Sequence, residues 1–154
     1  MNKLYNHPKV KSFISLTHGE GFGRPLLEAT MTGLPVIASG WSGQMDFLSQ
    51  ENSILLGGEL VKVPKSQHWK DIIVSESQWY NVNETQAYKS LNYCFENYDE
   101  VKEKALKLMK VNRNKFTLNK MVEKLDDIMD RYLKKQPSQV QLKLPKLKKV
   151  KETV

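Results

Sequence analysis

Val10-Lys11-Ser12-Phe13-Ile14-Ser15-Leu16-Thr17-His18-Gly19-Glu20-Gly21-Phe22-Gly23-Arg24-Pro25-Leu26-Leu27-Glu28-Ala29 changes character twice along its length. Val10–Thr17 is rich in β-branched and aromatic side chains and predicts a strand, which the glycines at 19, 21 and 23 end. Pro25 supplies a fixed φ at a first helical position. Leu26, Leu27, Ala29, Thr30 and Met31 continue a short helix and Gly33 closes it. The apolar run Leu34-Pro35-Val36-Ile37-Ala38 lacks alternation, as expected of a strand covered on both faces. Strand, helix and strand in this order predict a βαβ unit with a right-handed crossover. The fold class is therefore α/β, a parallel sheet with flanking helices.

Downstream, a loop at Ser39–Gly43 leads to a helical turn around Gln44–Leu48. Ile54-Leu55-Leu56 and Leu60-Val61-Lys62-Val63 read as two short strands flanking a glycine turn. Residues 64–82 carry Trp69, Trp79 and Tyr80 without a clear period and read as an irregular, partly packed segment. The C-terminal third is helical. Asn83 with Gln86 resembles a capping box, followed by an apolar face of Ala87, Tyr88, Leu91, Cys94, Phe95 and Tyr98. Asp99 is expected to cap a second helix bearing Val101, Ala105, Leu108 and Met109, with Glu103 and Lys107 paired on its wet side. Thr117 is expected to cap a third, in which Leu118, Met121, Val122, Leu125, Ile128, Met129 and Tyr132 recur at helical spacing.

The net charge of +7 is uneven. Residues 135–154 hold six lysines against Glu152, a net +5, which leaves +2 for the other 134 residues. The basicity belongs to a tail and not to a face of the folded body, so no specific nucleic-acid partner is expected. Residues 1–133 read as one domain and 134–154 as a basic, disordered tail able to touch an anionic membrane surface. The N-terminus has no apolar block of secretory type, and no run approaches the ~20 residues of a membrane helix, so a cytoplasmic protein is expected. The single cysteine, Cys94, reads as a small core residue. His7, His18 and His68 have no ligand-type spacing, so neither a metal nor a cofactor is expected.

The chemistry concentrates at residues 18–28. In open parallel sheets, ligands bind beyond the C-terminal ends of strands. Glycines at 19, 21 and 23 let a ligand approach the backbone, and the helix starting near Arg24 offers unpaired N–H groups and a positive dipole end, suited to a diphosphate. Leu26 stands where G-x-G-x-x-G needs its third glycine, and G-x-x-x-x-G-K-[ST] is absent, which disfavours a dehydrogenase or an NTPase. Glu20 in the loop and Glu28 one helical turn inside each accept hydroxyl hydrogen bonds, which suits sugar and ribose diols. His18, beside the site, is a candidate to bond a phosphate or a sugar, or to anchor the loop. Trp41 follows the second strand and reads as packing or as a border of the site.

Glu20 and Glu28, with seven residues between them inside G-E-G-F-G-R-P-L-L-E-A and followed by T-G-L-P-V-I-A-S, resemble the signature of the group 1 retaining glycosyltransferases. Those enzymes have two Rossmann-like domains in a GT-B arrangement, and the signature belongs to the C-terminal, donor-binding one. The resemblance implies a nucleoside-diphosphate sugar as donor, with a glycan, lipid or protein as acceptor. Glu20 would contact hexose hydroxyls and is the catalytic candidate. Glu28 would contact the ribose, and Gly19, Gly21, Phe22, Gly23 and Arg24 would face the sugar and diphosphate. The chain lacks the family's N-terminal acceptor domain, the first strands of the donor domain and their basic pair, so a separate N-terminal domain chain is an expected partner. A non-catalytic nucleotide-sugar-binding or scaffolding remnant is the alternative.

Overall fold

The structure, a computed structural model, describes residues 2–133. The tail at 134–154 lies outside the described residues. The chain divides into two units, residues 1–117 and residues from 118 onward.

In the first unit, helix α1 (Asn2–Tyr5) precedes strand β1 (Phe13–Ser15), helix α2 (Arg24–Met31) and strand β2 (Val36–Ser39). Strand β3 (Ile54–Leu56) follows a 3-10 turn at Gly43–Asp46. The three strands form a parallel sheet in the order β1-β2-β3, with Ile14 opposite Ile37 and Ile37 opposite Ile54. The α/β class and the strand–helix–strand unit follow the local signals of the sequence.

The expected lack of alternation in β2 is met by burial of all four of its residues. Val36 and Ala38 join a core cluster with Leu26, Ala29, Phe47 and Leu108 on one face. Ile37 joins Leu56, Tyr80, Val82, Cys94 and Val101 on the other. With period two, Val36 and Ala38 feed one core and Ile37 the other, and either core alone would leave half of this run wet.

Two readings need correction. Ile54–Leu56 and the next strand do not pair with each other. β3 completes the parallel sheet, while strand β4 (Gly58–Lys62) pairs antiparallel with strand β5 (Gln78–Val82), Leu60 opposite Tyr80 and Val61 opposite Trp79. Residues 64–82 are thus not irregular throughout, because they end in a strand whose Tyr80 and Val82 are buried. The intervening residues hold a 3-10 turn at Lys65–Gln67 and a bridge between Trp69 and Ile73.

Helix α3 (Glu84–Glu96) opens on half of the expected capping box. The Gln86 N–H donates to Asn83 Oδ1 at 2.9 Å, but the Gln86 side chain accepts from the Gly57 N–H at 2.7 Å instead of turning back to its own cap. Its expected apolar face is only partly covered: Ala87 and Cys94 are buried, while Tyr88, Leu91 and Phe95 are exposed. Burial raises the pKa of the Cys94 thiol, partly opposed by a hydrogen bond from Ser12.

Helix α4 (Tyr98–Lys115) starts one residue before Asp99, so Asp99 lies in its first turn and Asn97 takes the cap position. Val101, Ala105 and Leu108 are buried as the periodicity implies, and Glu103 pairs with Lys107 at 2.9 Å. Buried Asn112 donates to Thr30 Oγ1 at 2.8 Å and to the Phe47 carbonyl at 3.2 Å. Lys102 and Arg113 donate to the carbonyls of Gly33 and Met31, satisfying acceptors at the C-terminal end of α2. α4 thereby holds α2 from below, and α2 opens at the candidate site.

In the second unit, helix α5 (Leu118–Tyr132) begins directly after Thr117 and buries none of its residues. No helix among the described residues is long and apolar enough to cross a membrane.

Candidate functional site

Gly23 sits immediately before α2 with φ 82° and ψ 50°, a left-handed conformation that costs a side-chain-bearing residue roughly 1 kcal/mol or more. It turns the chain from the loop into the helix. Pro25 has no N–H to waste at the first turn, and the Leu27 N–H already reaches the Gly23 carbonyl at 3.1 Å. The N–H groups of Arg24 and Leu26 are left without intrahelical acceptors, beside the positive end of the helix dipole.

Beneath the loop, the Phe22 ring packs against Phe47 at 5.2 Å and Phe116 at 6.0 Å between centroids. The Phe22 side chain is therefore an anchor, and what Phe22 can offer a ligand is its backbone. Phe22 is half-buried and Gly23 buried, while Gly19, Gly21 and Arg24 are exposed and Glu20 and Glu28 are half-buried.

The loop after β2 clasps the loop after β1. Ser42 Oγ donates to the Glu20 carbonyl at 2.7 Å, the Gly43 N–H donates to the same carbonyl at 3.0 Å, and the Glu20 N–H donates to Ser42 Oγ at 3.3 Å. The contact is backbone to backbone: a Cβ on Gly43 would lie 2.1 Å from the Gly21 carbonyl oxygen. Ser42 adopts φ 73° and ψ −158°, a region in which side chains are strained by about 1–3 kcal/mol. Below, buried Gln44 donates to the Ser39 carbonyl and hydroxyl, and Ser39 Oγ donates to the Thr17 carbonyl, fixing the ends of both strands. Strain held by such a network, at the C-terminal end of a parallel sheet, is the arrangement in which functional loops are found.

The two acidic residues keep different company. The Glu20 backbone is bound to the Ser42 loop. Glu28 Oε1 lies 3.5 Å from Arg24 Nη2, a pair on a strongly exposed arginine. Glu28 also lines a hollow of about 330 Å³ with Tyr5, Met31 and Arg113. Burial, reinforced by the Glu28 charge, raises the pKa of the Tyr5 hydroxyl.

His18 is fixed by the strand that the sequence reading missed. Its ring stacks on Trp79 at 4.1 Å and 7°, Nδ1 lies 2.8 Å from the Tyr80 carbonyl, and the Tyr80 N–H donates to the His18 carbonyl at 3.0 Å. Trp41 stacks on Tyr80 at 5.7 Å and 6°. Trp79 and Tyr80 thus join His18, and Ser42 joins Glu20. The apolar alternation of Tyr80 and Val82 was a usable signal for β5, whereas nothing in the residue type marks Ser42.

A hollow of about 660 Å³ lies elsewhere, between Gly57–Glu59 and the start of α3. Asn83 and Gln86 there are committed to the backbone, and Glu59 and Glu84 oppose an anion, so the richer chemistry is at the β1–α2 loop. Among the described residues, no three His, Cys, Asp or Glu side chains gather to hold a metal ion. Set against known proteins, the chain matches no family model, no curated protein and no solved structure.

Proposed function

We propose that the loop between β1 and α2 binds a nucleoside-diphosphate sugar, and that the chain is the donor-binding part of a retaining glycosyltransferase of GT-B type working with an acceptor domain. The observation that carries the reading is the placement of Glu20 and Glu28 on either side of a glycine-led helix start, with the Glu20 backbone clasped by a strained neighbouring loop. The diphosphate is assigned to the N–H groups at the start of α2 and to Arg24, the ribose diol to Glu28 and the hexose hydroxyls to Glu20. An exposed arginine–carboxylate pair is worth about 0–1 kcal/mol, so Arg24 can leave Glu28 for the phosphates at little cost. As the glycosyl bond breaks, charge grows on the leaving diphosphate, where fixed N–H donors stabilise it without reorganising. The acceptor is a glycan, lipid or protein hydroxyl.

The second reading is a non-catalytic nucleotide-sugar-binding or scaffolding module. In it Arg24, the cation at the helix start, stays paired with Glu28. Both readings keep the same site, and transfer of sugar from donor to acceptor by the purified chain would eliminate the second.

Calorimetric titration with UDP-, GDP- and ADP-sugars tests the site itself. One nucleotide class is expected to bind with Kd on the order of 0.1–1 mM, and Glu28→Ala is expected to weaken it about tenfold, ~1.4 kcal/mol. Binding that Glu28→Ala leaves unchanged would contradict the assignment.

A further inference from the structure

His18 makes two contacts that fix one tautomer of its neutral ring. The ring lies flat against Trp79, and Nδ1 is within hydrogen-bond distance of the Tyr80 carbonyl. A carbonyl oxygen can only accept, so Nδ1 must carry the proton. In the neutral ring, Nε2 is then a bare lone pair, with no partner among the described residues and on an exposed side chain.

That lone pair discriminates between the chemistries a donor nucleotide presents. Diphosphate oxygens only accept, so they have nothing to give Nε2. A sugar hydroxyl donates. Glu20, two residues along the same loop, is also a pure acceptor when ionised. Two acceptors on one loop match neighbouring hydroxyls of a sugar ring, while the N–H donors at the start of α2 match the phosphates. The loop and the helix start therefore divide the donor between them by hydrogen-bond polarity.

We infer that His18 reads the transferred sugar: its Nε2 accepts a hydroxyl of the donor hexose, with the Tyr80 carbonyl fixing the tautomer and Trp79 fixing the plane of the ring. The β4–β5 ribbon is then a specificity element of the site, and Trp79 is a positioning residue. This assignment rests on the donor-site reading above and adds to it which atoms read the sugar.

The test compares each nucleoside diphosphate with its sugar conjugate, by calorimetry on the full chain, for wild type and four variants. His18→Phe keeps a flat ring on Trp79 and removes both nitrogens. His18→Asn keeps a donor near the Nδ1 position and removes Nε2, and serves if the first variant fails to fold. Both are expected to lose about tenfold in affinity for the sugar nucleotide while binding of the bare diphosphate stays within about twofold. Trp79→Leu is expected to lose the same preference, and Trp79→Phe, which restores a flat face, to recover it. Long-range nitrogen–proton NMR at about pH 8.5 is expected to show His18 protonated at Nδ1 in wild type and a mixture of tautomers in Trp79→Leu. Parallel loss for diphosphate and conjugate, no loss for either, or protonation at Nε2 in wild type would each overturn the role of His18. Failure of the underlying site shows differently: wild type would then bind no bare diphosphate, or Glu28→Ala would leave that binding untouched.

Discussion

α4 and α5 look alike as sequence and behave differently as structure. Both carry apolar residues at helical spacing, and the apolar stripe of α5 is the more regular of the two. α4 buries Val101, Ala105 and Leu108, and adds Asn112 as a polar plug between Thr30 and Phe47. α5 leaves Leu125 at 56 % exposure and Ile128 at 52 %. Periodicity states which face a helix is able to bury. Whether it does so depends on what lies opposite, which is a property of the fold. The residue that most distinguishes the two helices, Asn112, is the one an apolar pattern would pass over.

Leu108→Ala should sharpen this contrast most. The side chain is 4 % exposed in the core under α2, so its truncation is expected to cost about 2–5 kcal/mol in urea unfolding. Leu125→Ala in α5 is expected to stay within about 0.5 kcal/mol of wild type. Equal losses from the two would break the distinction. Of intermediate size, Asn112→Ala removes the donor to Thr30 and Phe47 and is expected to cost about 1–3 kcal/mol, since a buried acceptor loses its partner. Because α4 supports α2, the same variant should also soften the candidate site.

What was legible in the sequence was local. The β-branched run of β1, Pro25 and Gly33 around α2 and the unalternated β2 each carry their signal within a few residues. The placement of Glu20 on the loop and Glu28 on the helix was legible for the same reason, since it is a short-range property. The pairing of β4 with β5 was not, because it joins Gly58 to Val82 across a long intervening segment and its register is set by where Tyr80 and Val82 find a core. Tyr88 and Phe95 read as part of the apolar face of α3, and their exposure was not legible because periodicity names a face and not what covers it. In the candidate site, the hidden part is the clasp: Ser42 and Gly43 closing on Glu20 and Gly21, and β5 delivering Trp79 and Tyr80 to His18. These contacts bring together residues more than twenty positions apart, and on one side of most of them stands a backbone group that every residue type possesses.

The central claim, that the β1–α2 loop is a nucleotide-sugar site, is tested most directly by following backbone amide NMR signals as UDP-, GDP- and ADP-sugars are added in turn. One nucleotide class is expected to shift the signals of Gly19, Glu20, Gly21, Phe22, Gly23, Arg24 and Leu26, and to leave Leu125 and Ile128 of α5 in place. Shifts confined to the hollow at Gly57–Gln86, or none at millimolar donor, would contradict it.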